Sequence, residues 1–212
     1  IVTDIPGTTR DSIDLDYIYQ DKRISFIDTA GLRKKNKIKY GVEYFSSMRT
    51  IDSIDRADII ILMLDVSEEF SDQDQKIAAY AQRKYKNMII ILNKWDLIED
   101  KETNTFKKYV MELRRTFPFL EYVPILSISA LTGQRVHKIP DMILNVWAES
   151  HRRVSTSQLN DFMEKVIQRK PPTHSTGKHI KVYYVTQQAT NPPTFIFFCN
   201  QPALITENYR RF

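Results

Sequence analysis

Two stretches of the chain are apolar almost end to end and only as long as a strand. They are DIIILMLD (58–65) and NMIIILNKWD (87–96). A strand with one wet face alternates apolar and polar residues. A strand that is apolar throughout is covered on both faces, as in a parallel sheet with helices on each side. The neighbouring segments keep that rhythm. ISFIDTAG and YVPILSISA read as further strands. GVEYFSSMRTIDSIDRA places Val42, Phe45, Met48, Ile51 and Ile54 at helical spacing. SDQDQKIAAYAQRKY opens on a Ser/Asp cap and reads as a helix, as do NTFKKYVMELRRTF and KIPDMILNVWAESHRR. The fold class expected is α/β, with a doubly wound, mostly parallel sheet. Functional loops of such sheets gather at the carboxyl ends of the strands.

After the polar bridge RRVSTS the pattern changes. STSQLNDFMEKVIQR reads as a helix, and HIKVYYVTQQ and TFIFFCN as strands. ITENYRRF reads as the start of another helix. Pro171 and Pro172 bar regular structure between the helix and the first strand. Two domains follow: residues 1–153, and a small α+β domain over 154–212. Charge separates them. The net charge is +5, yet residues 151–212 alone hold nine Lys/Arg against three Asp/Glu. A basic small domain suits phosphate backbones, and equally suits an ordinary solvated surface.

The single cysteine, Cys199, excludes an internal disulfide and a multi-cysteine metal site. It points towards a reducing compartment, and cytoplasmic location is expected. No apolar run nears the ~20 residues that span a bilayer, so no membrane partner is expected. Nothing demands a dimer, and a monomer is expected. The opening IVTDIPGTTRD has neither Met nor a basic-then-apolar leader. It reads as an edge within a longer chain.

Four short motifs stand at strand ends or in loops, in order. PGTTRD offers Thr9, in preference to Thr8, whose hydroxyl suits Mg²⁺ and whose N–H suits a γ-phosphate. DTAG offers Asp28 for Mg²⁺ through water and the Gly31 N–H for a terminal phosphate. NKWD offers the Asp96 carboxylate to the ring N–H and exocyclic amine of guanine, a donor pair that adenine lacks. Asn93 suits the purine edge, and the Lys94 stem can lie over the base. SISAL adds Ser129 and the Ala130 N–H, which can meet the guanine carbonyl. Each motif alone is weak. A Ser/Thr turn or a charged strand end explains any one of them, and their order is what carries the reading.

That order resembles the translation-factor-related branch of P-loop GTPases. The glycine-rich phosphate loop is missing: the five glycines, Gly7, Gly31, Gly41, Gly133 and Gly177, make no G-x-x-x-x-G-K-[ST]. By the resemblance it should lie just upstream of Ile1. DIPGTTRD, DTAGLRKK, NKWDL and SALTG, followed by KVYYVTQQATNPPTFIFFCN and NYRRF, narrow the match. Together they resemble the bacterial tandem GTPases called Der or EngA. The resemblance implies a P-loop GTPase-type domain and then a KH-like domain. It also implies GTP/GDP and Mg²⁺ as ligands, and a switch acting with the 50S ribosomal subunit and its rRNA. K⁺ beside the phosphates is a family expectation. Leu32 stands where many GTPases place the glutamine that orients water, so slow hydrolysis is implied. The chain alone, without its phosphate loop, is expected to be inactive.

Arg33, Lys34, Lys35, Lys37 and Lys39 follow DTAG and read either as a solvated loop or as a nucleotide sensor that touches RNA. In the second domain Gly177 is the lone glycine, so a KH-type G-x-x-G clamp is absent. Lys178, Lys181, Arg210 and Arg211 remain candidate RNA contacts. Tyr183, Tyr184 and Phe195 could stack on bases, but read first as core residues. Two rival readings stay open: a tRNA-modification GTPase, and an RNA-binding module on a nucleotide-inactive scaffold. NPPTF and YRRF speak against the first, and intact NKWD and DTAG against the second.

Overall fold

A computed structural model describes residues 14–27, 50–99, 101–172 and 180–210. The chain divides into two compact units, residues 1–146 and 147–212.

The first unit is organised by β3 (Ile59–Asp65), β4 (Asn87–Asn93) and β5 (Ile125–Ser127), which form a parallel sheet in that order. The register sets Asp65 beside Asn93 and Leu92 beside Ser127. β4 is central, and its Ile89, Ile90, Ile91 and Leu92 are wholly buried. Met88, Ile90 and Leu92 face one core, shared with Ala78 and Ala81 of α2 (Asp72–Arg83), with Leu113 of α3 (Thr105–Thr116), and with Phe117. Ile89 and Ile91 face the other, shared with Ile128 and with Ile143 of α4 (Lys138–Ser150). The unbroken apolar run is thus explained: both faces of β4 are covered.

The helices start where their caps allow. Ser71 accepts from the Asp74 N–H at 3.2 Å, and the Asp74 carboxylate accepts from the Ser71 N–H at 2.9 Å. This reciprocal box satisfies two donors that the first turn of α2 would otherwise leave bare. After α3 the chain is held by Arg114, which donates to the carbonyls of Leu120 and Val123. The described part of α1, residues 50–56, ends the helix expected from Val42 onward. The earlier part of that helix lies outside the described residues.

One strand was expected in a different setting. ISFI was read as a buried strand of the parallel sheet. It is β2 (Lys22–Ile27), which among the described residues pairs antiparallel with β1 (Asp14–Tyr19) in a two-stranded sheet. Ile24 and Phe26 pack against the core of Ile89 and Ile91, while Leu15 and Ile18 stay exposed. The turn is Gln20–Asp21, with φ of 49° and 58°. Two-residue hairpins require this positive φ, and Asn-Gly or Asp-Gly usually supplies it. Gln-Asp gives no such signal, so β1 went unforeseen.

In the second unit α5 (Thr156–Arg169), capped by Ser155, packs on the hairpin of β6 (Val182–Thr190) and β7 (Pro193–Cys199). The Asn160 carboxamide accepts from the Val185 N–H at 2.9 Å and donates to the Val185 carbonyl at 3.0 Å. It thus satisfies an outward-facing stretch of β6 as a neighbouring strand would. Gln187, buried, accepts from Val154 N–H and donates to the Ala189 carbonyl. Tyr183, Tyr184 and Phe195 are exposed, which corrects the core reading. A two-stranded hairpin has little area, and the residues α5 meets, such as Val185, take the covered positions. A short helix, α6 (Glu207–Arg210), ends the described chain. No helix among the described residues is long and apolar enough to cross a membrane.

Truncating the two-faced strand should cost far more than altering the hairpin surface. Ile90→Ala is expected to destabilise the protein by about 2–5 kcal/mol. Ile18→Thr is expected to stay within about 0.5 kcal/mol. Urea denaturation of the two variants checks this.

Candidate functional site

The carboxyl ends of β3, β4 and β5 are laced by backbone hydrogen bonds. Val66 N–H donates to the Asn93 carbonyl at 3.1 Å, and Ile128 N–H to the Leu92 carbonyl at 2.8 Å. Trp95 N–H returns to the Ile128 carbonyl at 3.0 Å. Three loops therefore leave the sheet at one level, as parallel register requires. NKWD occupies the middle one.

Its conformation is specific. Lys94 is left-handed, at φ 63° and ψ 33°, a setting that costs a non-glycine residue about 1–2 kcal/mol. Burial of the next residue offsets that cost. Trp95 is 4% exposed, starts the 3₁₀ turn Trp95–Leu97, and meets Phe106 and Tyr109 edge-on at 5.9 and 5.4 Å. The Arg135 guanidinium lies 5.8 Å from its ring centre. With Trp95 anchored inward, the residues on either side are turned to the rim.

Asn93 and Ala130 are brought together: the Asn93 Oδ1 accepts the Ala130 N–H at 3.0 Å. Ser129 is wholly buried, and its hydroxyl accepts from Thr132 N–H at 3.1 Å. Its own N–H donates to the Gln134 carbonyl at 3.1 Å. Gly133, at φ +76°, makes the reversal possible in this tight loop. The loop closes on itself and presents exposed Ala130 beside Asn93. Asp96 is half-buried, and its Oδ1 is buried without a hydrogen-bond partner among the described residues. A carboxylate oxygen out of water and unpaired is costly unless a donor arrives. The five guanine-site candidates, Asn93, Lys94, Asp96, Ser129 and Ala130, thus stand on two adjacent loops.

Sequence reading missed Asp65. It ends β3 opposite Asn93, and its Oδ2 lies 2.5 Å from the Lys94 ammonium. Ser67 donates to the Asp65 Oδ1 from its N–H at 3.0 Å and its hydroxyl at 2.6 Å. Burial pushes the Asp65 carboxyl up, but Lys94 and Ser67 together outweigh it and hold the group below its usual range. The available signal was positional: DIIILMLD and NMIIILN both end on a polar residue, and parallel strands bring such ends together.

Thr9, Asp28 and Gly31, the expected Mg²⁺ and γ-phosphate residues, lie outside the described residues, as does Leu32. So do Lys178 and Arg211. Lys181 and Arg210 are described and exposed. The Lys181 ammonium lies 5.7 Å from the Tyr183 ring centre, and Tyr184 stacks on Phe198 at 4.2 Å. The second unit thus carries an exposed aromatic and basic surface.

The Asp65 pair gives a pH signature. Its folded pKa is below the unfolded value of about 4. Its stabilisation is complete above that value and is lost as pH falls through the folded pKa. The Tm difference between wild type and Asp65→Asn should be constant above about pH 5 and shrink below about pH 4. Thermal denaturation against pH measures it.

Comparison with known proteins covers both units. Residues 1–94 match the family described as 50S ribosome-binding GTPase. Residues 153–212 match the KH-domain-like region at the C-terminus of EngA bacterial GTPase enzymes. GTPase Der of Caldanaerobacter subterraneus is 45% identical over 212 residues, 100% of this chain and 48% of that protein. GTPase Der of Halothermothrix orenii is 46% identical over 213 residues, again 100% of this chain and 48% of that one. The chain therefore spans about half the length of the curated relatives it matches. Among solved structures, Era in complex with MgGDPNP and a stretch of 16S ribosomal RNA has a TM-score of 0.58 and 20% identity. That match covers 100% of this chain and 75% of that chain, and at this identity it shows the shared fold. Matched in order by both family descriptions and aligned throughout with proteins of one name, the chain belongs to the Der (EngA) GTPase family.

Proposed function

We propose that this chain is the guanine-reading and RNA-contacting portion of a GTP-binding, GTP-hydrolysing switch in assembly of the 50S ribosomal subunit. The observation that carries the reading is the buried Asp96 Oδ1, without a partner among the described residues, on the loop beside Asn93 and Ala130. A guanine presents two adjacent donors, the ring N–H and the exocyclic amine, to such a carboxylate. Adenine presents no such pair, and the carboxylate would stay unsatisfied against it. Asn93 meets the purine edge and shares the Ala130 N–H with the guanine carbonyl. The Lys94 stem covers one face of the base.

Thr9 and Asp28 are the proposed Mg²⁺ residues and Gly31 the γ-phosphate contact. Mg²⁺ would neutralise charge developing on the phosphates. Leu32 cannot orient water, so hydrolysis in this reading is slow without a partner. K⁺ near the phosphates belongs to the same proposal. The chain alone is expected to bind GTP weakly, because a phosphate loop supplies most phosphate contacts. The basic second unit, through Lys178, Lys181, Arg210 and Arg211, is proposed to meet rRNA, with the cytoplasm as the site of action.

Exchange of Asp96 for Asn tests the guanine half. It replaces an acceptor with a donor, and xanthine has a carbonyl where guanine has its amine. In a longer version of the protein with a phosphate loop ahead of Ile1, Asp96→Asn should lower GDP affinity at least about a hundredfold and favour the xanthine nucleotide. Isothermal titration reads both, and an unchanged preference for GDP would sink the reading. For the RNA half, Lys181→Glu with Arg210→Glu should weaken rRNA binding and reduce its salt slope by about one per charge. Filter binding across a salt series with an unaltered slope would remove these residues from the interface.

A further inference from the structure

We infer that Asp65 is a positioning residue for guanine recognition, acting through Lys94, whose stem it fixes as one wall of the base site. This rests on the guanine reading proposed above.

Lys94 is constrained at both ends. Its backbone is left-handed at φ 63°, locked by Trp95 N–H on the Ile128 carbonyl at 3.0 Å and by Leu97 N–H on its own carbonyl at 3.0 Å. Its ammonium meets the Asp65 Oδ2 at 2.5 Å. The carboxylate is itself fixed, because its Oδ1 takes both the N–H and the hydroxyl of Ser67. The hierarchy is therefore Ser67 orienting Asp65, and Asp65 orienting Lys94. Strand register makes this possible without an extra element, since Asp65 pairs with Asn93, one residue before Lys94.

The pair is partly exposed, with 39% of the Lys94 and 23% of the Asp65 side chain open to solvent. Ion pairs open to water add little to folding stability. Their effect on binding differs in kind. A free lysine stem must give up rotamer freedom when a base settles against it, whereas a stem already held gives up little. Asp65 thus prepares the site in advance of the nucleotide, without touching it.

A double-mutant cycle on Asp65→Asn and Lys94→Met tests this in the longer protein carrying a phosphate loop, with GDP affinity as readout. Asparagine keeps an acceptor for Ser67 and removes the charge. Asp65→Asn alone should raise the GDP Kd about threefold to tenfold, the range for one rotamer-rich side chain left to be ordered on binding. In the Lys94→Met background the same change should have no further effect. A loss that persists there would make Asp65 a general structural residue and overturn the inference. Unchanged GDP binding by Asp65→Asn would overturn it too, by showing that the pair does not prepare the site, and so would tighter binding, by showing that the pair holds Lys94 away from the base. If wild type fails to bind GDP, the guanine reading itself falls, and this inference with it. The three failures are distinguishable.

Discussion

Burial of β4 on both faces is the constraint on which the first unit depends. Ile89 and Ile91 need one layer and Ile90 and Leu92 another, so helices must cover the strand from each side. Parallel neighbours follow, and with them a shared level at which β3, β4 and β5 release their loops. The polar residues that matter sit within three positions of that level. Asn93 and Asp65 close their strands, Lys94 to Asp96 follow β4, and Ser129 and Ala130 follow β5. A slip of one residue in β4 would exchange its two cores and displace Asn93 from Ala130. Stability of the sheet and geometry of the site are therefore the same requirement.

At the rim, the order of causes runs from packing to polarity. Trp95 is an apolar anchor placed inside a polar motif, and its burial against Phe106 and Tyr109 holds a turn whose Lys94 backbone is unfavourable by itself. That turn leaves Asp96 with one buried oxygen unpaired among the described residues. Natural proteins seldom tolerate such an atom without a role. The proposed role converts a local cost into discrimination, since a base with the right donors removes the penalty and one without them does not.

Much of this was legible in the residues. Continuous apolar runs announced the parallel sheet, and Ser71 with Asp74 announced the start of α2. The motif order placed Asn93, Lys94, Asp96, Ser129 and Ala130 near one another, as the structure arranges them. Other features were hidden for physical reasons. The β1–β2 turn uses Gln20 and Asp21 at positive φ, where no glycine or asparagine marks it. Asp65 looked like any polar strand end, because its importance comes from register with Asn93 on the next strand. Tyr183, Tyr184 and Phe195 looked like core, because alternation alone does not reveal that a two-stranded hairpin is covered on limited area. The Asn160 carboxamide standing in for a strand has no sequence signal at all.

The central claim is that Asp96 reads the donor edge of guanine. The most direct measurement is a base-replacement series by isothermal titration, with GDP, IDP and ADP against the longer protein carrying a phosphate loop. IDP keeps the ring N–H and lacks the exocyclic amine, and ADP offers neither donor in place. The account predicts GDP tightest, IDP weaker by about tenfold or more for one lost charge-assisted hydrogen bond, and ADP weaker still. ADP binding within about tenfold of GDP would contradict it.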